Sequence, residues 1–225
     1  MTFLTEVQTL LERIYSPVGV DLGDCLISHR RSQELSRASF TSQEESFRQA
    51  CTFLREQEGS LTVGIYYAPE LIETLETLCP HDVINHINIH PLLSFIEEID
   101  HALHAAHAYR RGWRCMRSEQ FACHLELQAH VDCYWVVLHL FTHLTGEQPS
   151  AEIKNWLKER IFNDASFDYS IPSLTHRYRL ANRMGIAFIQ ILESLPKSDR
   201  LPCLRSFASA SLTEKYRMIR QFAGG

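Results

Sequence analysis

PLLSFIEEIDHALHAAHAYRRG (residues 91–112) and SEQFACHLELQAHVDCYWVVLHLFTHLTG (residues 118–146) repeat apolar residues at helical spacing on either side of Gly112-Trp113. This pattern predicts a long antiparallel helical hairpin from about Pro91 to Thr145. The hairpin holds eight of the twelve histidines: His90, His101, His104, His107, His124, His130, His139 and His143.

Two polar pairs stand out on it. Glu97 with His101, and Glu126 with His130, are each spaced i, i+4, which puts both members on one helix face. In an antiparallel hairpin, residues at equal height have equal index sums. Glu97 with His130 and His101 with Glu126 meet that condition, so the four side chains lie at one level in crossed carboxylate–imidazole pairs. Two carboxylates and two imidazoles suit a single zinc, iron or manganese ion. Glu98-x-x-His101 matches one Glu-x-x-His element of di-iron bundles, but the second such element is missing.

Facing works against convergence. Leu92, Phe95, Ile96, Ile99, Leu103 and Ala106 define the apolar stripe of the first arm, and Glu97, His101 and His104 point away from it. The expectation is therefore that Glu97, His101, Glu126 and His130 do not converge, with His101 and His104 facing solvent or a polar cleft. His139-x-x-x-His143, together with His124, Gln128 and Asp132, reads as a solvated face. Cys123 and Cys133 read as small apolar residues of the helix. At the hairpin tip, RRGWRCMR sets Arg110, Arg111, Arg114 and Arg117 around Trp113, a pattern able to contact an anion or an acidic partner, or simply to be solvated.

Composition bounds the rest. At 225 residues, with 45% hydrophobic residues, the chain suffices for one domain with a sizeable core. The net charge of −5 disfavours general affinity for nucleic acid. Seven cysteines without C-x-x-C spacing fit a reducing, cytoplasmic setting. No apolar run reaches membrane-spanning length, and Glu6 and Glu12 with no basic leader argue against a signal peptide. The sequence shows no phosphate-binding glycine loop, HExxH motif or G-x-S-x-G elbow.

Along the chain, residues 3–15 predict an amphipathic helix ended by Pro17 and Gly19. DCLIS (24–28) reads as a strand, and residues 30–42 as a polar loop. Ser42 with Glu45 resembles a capping box. Residues 51–66 read as a β-hairpin turning at Glu58-Gly59, with Leu61, Val63 and Ile65 on the buried face. With DCLIS this makes a small three-stranded antiparallel sheet under a helical layer. Leu71, Ile72, Leu75 and Leu78 mark a short helix, and a further helix runs through Ile153, Trp156, Leu157 and Ile161. Residues 162–172 read as a loop. A long helix follows from about Ser173 to Leu195, buried along Leu174, Tyr178, Ala181, Phe188 and Leu195 and packed on the central hairpin. Pro196 and Pro202 bracket a connector. Ser211 and Glu214 cap a last helix that buries Tyr216, Ile219 and Phe222. The predicted class is α+β, mostly helical, one domain over 1–225, with the sheet part in 1–68 and the helical part in 69–225.

SLTVGIYYAPELIETL, FIEEIDHALH, LELQAHVDCY and HRYRLANRMGIAFIQILES, in that order, resemble an uncharacterised bacterial protein family over roughly residues 50–220. The resemblance implies a hairpin followed by a helical domain, with no assigned activity. Matching positions are Glu97, His101, Glu126, Gln128 and Asp132. The chain departs where that family favours serine (Asp100 here), glutamate (His130 here) and lysine (Cys133 here), so a site shared with the family would be altered.

Two function classes follow. The first is a non-catalytic interaction or regulatory protein of the bacterial cytoplasm, with a protein partner and no cofactor. The alternative is a metal-dependent enzyme using the Glu/His positions of the hairpin.

Overall fold

The computed structural model describes residues 2–39, 49–114, 116, 118–162 and 172–223. Helix α1 (Phe3–Tyr15) starts where Thr2 Oγ1 accepts the Thr5 N–H at 3.2 Å, and it buries Leu4, Val7 and Leu11. Buried Gln8 donates to the Val20 carbonyl at 2.7 Å and accepts from Leu22 N–H at 3.2 Å, which straps the following loop to the helix.

DCLIS is not a third strand. Leu22–Cys25 forms a 3₁₀ turn capped by Asp21, and Leu26 makes a single bridge to Ile65, parallel rather than antiparallel. The extended run is cut short because α2 (His29–Ser39) begins at once, with Ser28 Oγ accepting the Arg31 N–H at 3.3 Å. That helix replaces the expected loop. It carries no apolar stripe, so periodicity misses it; Arg30 and Arg31 pair with Glu34 at 3.3 and 2.9 Å along its exposed side. Ser42 and Glu45 lie outside the described residues.

Among the described residues the sheet has two strands, β1 (Ala50–Gln57) and β2 (Ser60–Tyr67), antiparallel with Gln57 opposite Ser60. Its turn is at Glu58-Gly59, as expected from the sequence. Both residues have positive φ, 50° and 77°, as a two-residue type I′ connection demands. A Cβ on Gly59 would meet nothing within 4 Å, so Gly59→Ala tests backbone strain alone. It should lower stability by about 1 kcal/mol, read from the denaturant midpoint; an unchanged midpoint would show the turn to be adaptable.

After α3 (Pro69–Thr77), the hairpin appears as α4 (Ile89–Arg110) and α5 (Glu119–Thr145). Ser118 caps α5 and Gly146, with φ 71°, ends it. The sheet lies against α4: Thr52 Oγ1 donates to the Glu98 carbonyl at 3.0 Å, and Tyr67 OH to the Phe95 carbonyl at 2.9 Å. Phe95 stacks between Tyr67 and Phe3, with centroids 4.8 and 5.3 Å away. Helix α4 is thus covered by α1, α3 and the sheet as well as by α5.

The remaining helices are α6 (Ala151–Phe162), α7 (Pro172–Ser194), α8 (Lys197–Ser209) and α9 (Leu212–Ala223). The predicted packing of α7 on the hairpin is present along α5, with Ala181, Met184, Phe188, Ile189 and Leu192 buried and Tyr178 and Leu195 half-buried. The Leu174 side chain and the expected loop core at 163–171 lie outside the described residues. A Cβ on Gly185 would fall 2.6 Å from the Phe162 ring, so glycine there permits the close approach of α6 and α7.

Two further expectations are corrected. The connector between Pro196 and Pro202 is the start of α8, which carries Pro202 inside it; the carbonyl that Pro202 leaves without a donor belongs to exposed Ser198. In α9 the Ser211–Glu214 capping box forms, with Ser211 N–H to Glu214 Oε2 at 2.7 Å and Glu214 N–H to Ser211 Oγ at 3.3 Å. Ile219 is buried there, but Tyr216 and Phe222 are 44% and 52% exposed. The inward face is shifted by one residue because Lys215, one turn before Ile219, is fully buried. Among the described residues, no helix is long and apolar enough to cross a membrane.

Candidate metal centre

Between residues 121 and 140 of α5 nearly every side chain is buried, the pattern of a helix surrounded by others. Its polar residues are therefore carried inside. Gln128 and Asp132 are fully buried and His124 is nearly so, which corrects the expected solvated face; His139 and His143 alone behave as expected and are exposed. On α4 the same correction applies. Asp100 is fully buried, His104 is 5% exposed and the His101 side chain 12%. The apolar stripe of α4 does face the core. Its opposite side is roofed too, because α1 lays the Tyr15 ring 4.8 Å from that of His104 and the sheet covers the Phe95–Glu98 turn.

Covering both sides of α4 brings together side chains that stripe geometry kept apart. Ligand-type atoms of Glu97, His101 and Glu126 lie within 4.8 Å of one another. His101 Nε2 is 3.6 Å from Glu126 Oε2, and His101 Nδ1 is 3.7 Å from Glu98 Oε2. These distances are too long for hydrogen bonds. His101 Nε2 and Glu126 Oε2 are both buried with no hydrogen-bond partner. Of the crossed pairs, His101–Glu126 forms as the register requires. Glu97 instead turns to the same point as Glu126, and His130 is not in the converging set. His130 is 4% exposed, its Nδ1 has no partner, and its ring meets the edge of Phe162 at 5.8 Å. Arg177 of α7 approaches Glu126 Oε1 at 3.9 Å while bonding Glu119 with two nitrogens at 2.9 and 2.7 Å.

A second set, Asp100, His104 and Asp132, meets the same 4.8 Å limit and is fully enclosed. His104 Nε2 lies 3.1 Å from Asp132 Oδ2 and 3.2 Å from Asp100 Oδ1. Tyr15 OH donates to Asp132 Oδ1, and Gln128 Nε2 to Asp132 Oδ2 at 3.0 Å. Gln128 Oε1 accepts from the Lys215 ammonium at 2.6 Å. Sequence reasoning missed Asp100, His104, Tyr15 and Lys215 as members of a site. One signal was present: Asp100-x-x-x-His104 repeats the Glu97-x-x-x-His101 spacing three residues on. Nothing local marks Tyr15 or Lys215.

The electrostatics follow from burial and crowding. Burial and then the Glu126 charge push the Glu97 carboxyl well above its usual range. Burial drives the His101 imidazolium down, but the carboxylates of Glu98, Glu126 and Glu97 bring it up to about 10. His104 is likewise lowered by burial and raised, to about 9, by Asp100 and Asp132. Burial and the Asp100 charge lift Asp132 to about 7; Asp100 is raised by burial yet ends below its usual value because His104 faces it. Burial lowers His130 to about 4, with His101 adding to the effect, and brings Lys215 down to about 7.

The hairpin tip is largely engaged within the chain. Arg110 donates to the Val18 carbonyl; Arg114 donates to the Tyr109 and Trp113 carbonyls at 3.0 and 2.8 Å and lies 4.3 Å over the Tyr109 ring. Arg111 is exposed, and Arg117 lies outside the described residues. Cys133 is buried with its thiol 3.6 Å from the Leu93 carbonyl, as a small core residue would be.

Compared with known proteins, the chain matches no protein family, no curated protein and no solved structure. Glu97, His101, Glu126, Gln128 and Asp132 all lie within the two buried sets or directly against them.

Proposed function

We propose that the chain is a metal-dependent protein holding one zinc, iron or manganese ion between α4 and α5 on Glu97, His101 and Glu126. The observation that carries this reading is the pair His101 Nε2 and Glu126 Oε2, buried 3.6 Å apart and each without a hydrogen bond. Leaving such groups without hydrogen bonds in the interior costs free energy. Two ligands at about 2.1 Å on a tetrahedral ion sit about 3.4 Å apart, so little movement is needed to seat one. Two carboxylates and one imidazole also suit iron or manganese by donor type.

Three protein ligands leave a coordination position open, the pattern of catalytic rather than structural ions. A metal there would polarise a bound oxygen or activate water. His130, one turn along α5, lies outside this converging set, with its buried Nδ1 lacking a hydrogen-bond partner. The interaction-protein reading finds less support, because Arg110 and Arg114 of the tip are engaged with the chain's own carbonyls.

Elemental analysis of the purified protein, and its melting temperature with zinc, iron or manganese added, test the proposal. A bound ion and a rise in Tm are expected, with Glu126→Gln weakening binding at least tenfold. A chain that takes up none of the three ions, and melts at the same temperature with and without chelator, would overturn it.

A further inference from the structure

We propose that Asp100, His104 and Asp132 form a second divalent-cation site, separate from the Glu97–His101–Glu126 site and not dependent on it. The geometry of one nitrogen carries the inference. His104 Nε2 faces Asp132 Oδ2 at 3.1 Å and Asp100 Oδ1 at 3.2 Å. Nε2 carries at most one hydrogen; its hydrogen-bond contact is with Asp132, and its approach to Asp100 is an ion pair only. Asp100 is then left fully buried with neither carboxylate oxygen accepting a hydrogen bond. His104 faces that carboxylate as an ion-pair partner, and a carboxylate that deep also takes hydrogen-bond donors or a metal ion.

A divalent ion in place of that single proton would serve all three groups together. Ligands about 2.1 Å from an ion in octahedral geometry are about 3.0 Å apart, close to the separations already present around Nε2. The surroundings hold Asp132 as ligand-supporting groups do. Tyr15 OH donates to Oδ1 and Gln128 Nε2 to Oδ2, and the Lys215 ammonium fixes the other end of the Gln128 amide at 2.6 Å. Gln128 Nε2 also lies 3.0 Å from Tyr15 OH, so both donors are held at once. Two carboxylates with one imidazole favour an oxygen-preferring first-row ion, Mn(II) or Fe(II), over copper.

The two sites repeat one element of α4. A carboxylate followed four residues later by histidine occurs at 97/101 and again at 100/104, each completed by one carboxylate of α5. The pair therefore gives the hairpin room for two ions.

Titration of the full chain with Mn(II), following loss of the free-ion six-line electron paramagnetic resonance signal, tests this. Wild type should bind two Mn(II) ions, and Asp100→Asn and Glu126→Gln one each. Asp100→Asn removes a charge at nearly constant volume; if it fails to melt cooperatively, His104→Gln replaces it and is also expected to bind one. One ion in wild type, kept in Asp100→Asn and lost in Glu126→Gln, would overturn the second site and leave the first standing. One ion lost in Asp100→Asn and kept in Glu126→Gln would support the second site and overturn the first. No Mn(II) bound at all would overturn this site.

Discussion

Replacing Lys215 by methionine is expected to remove a steep pH dependence of stability between about pH 7 and pH 10. Lys215 is fully buried, with its ammonium on Gln128 Oε1 at 2.6 Å and 4.7 Å over the Phe207 ring. Burial brings its pKa down to about 7, against the pull of Asp132 and Asp100, which favour the charged form. In the unfolded chain a lysine titrates at about 10.4. Between these values the unfolded chain holds a proton that the folded chain has released. Stability then rises with pH, by up to about 1.4 kcal/mol per pH unit. Below pH 7 both states are protonated and the folded state bears the whole cost of the buried charge. Across the window the gain is on the order of 4 kcal/mol. Methionine keeps much of the volume and does not titrate. Urea unfolding at pH 7, 8, 9 and 10 in the presence of chelator should show Lys215→Met losing its relative advantage over wild type as pH rises. Parallel curves for the two proteins would mean that Lys215 stays charged, held by Asp132 through Gln128.

Phe188→Ala is expected to cost about 3 to 5 kcal/mol, the range for a buried aromatic truncated in a packed core. Phe188 is 1% exposed, and its ring stacks on Phe207 of α8 with centroids 3.5 Å apart and planes 12° from parallel. Phe207 is fully buried and lies under the Lys215 ammonium, so a cavity at Phe188 also loosens the packing beneath Lys215. Differential scanning calorimetry should show Tm falling by roughly 10 °C. A loss below about 1 kcal/mol would mean that α7 does not bury this face against the rest of the chain.

Local chemistry sufficed for most of the helices and for the hairpin turn. Leu92, Phe95, Ile96, Ile99 and Leu103 mark α4, and all five are buried as their spacing predicts. Glu58-Gly59 marks the turn because two consecutive residues of positive φ are required there. Ser211 and Glu214 mark the start of α9 because the capping box is a contact between residues three apart. Helix α2 was not legible, since its support is a capping serine and surface ion pairs rather than an apolar stripe.

For the site, the sequence by itself determined height: residue spacing and antiparallel register place His101 level with Glu126, and the two are 3.6 Å apart. Facing was decided only by the tertiary structure. Amphipathicity assigns a polar helix side to water because, for an isolated helix, water is the alternative to the core. When α1 and the sheet close over that side of α4, the same residues become an interior lined with carboxylates and imidazoles. Tyr15, 117 residues from Asp132, and Lys215, 87 residues from Gln128, reach it through contacts that no local pattern encodes.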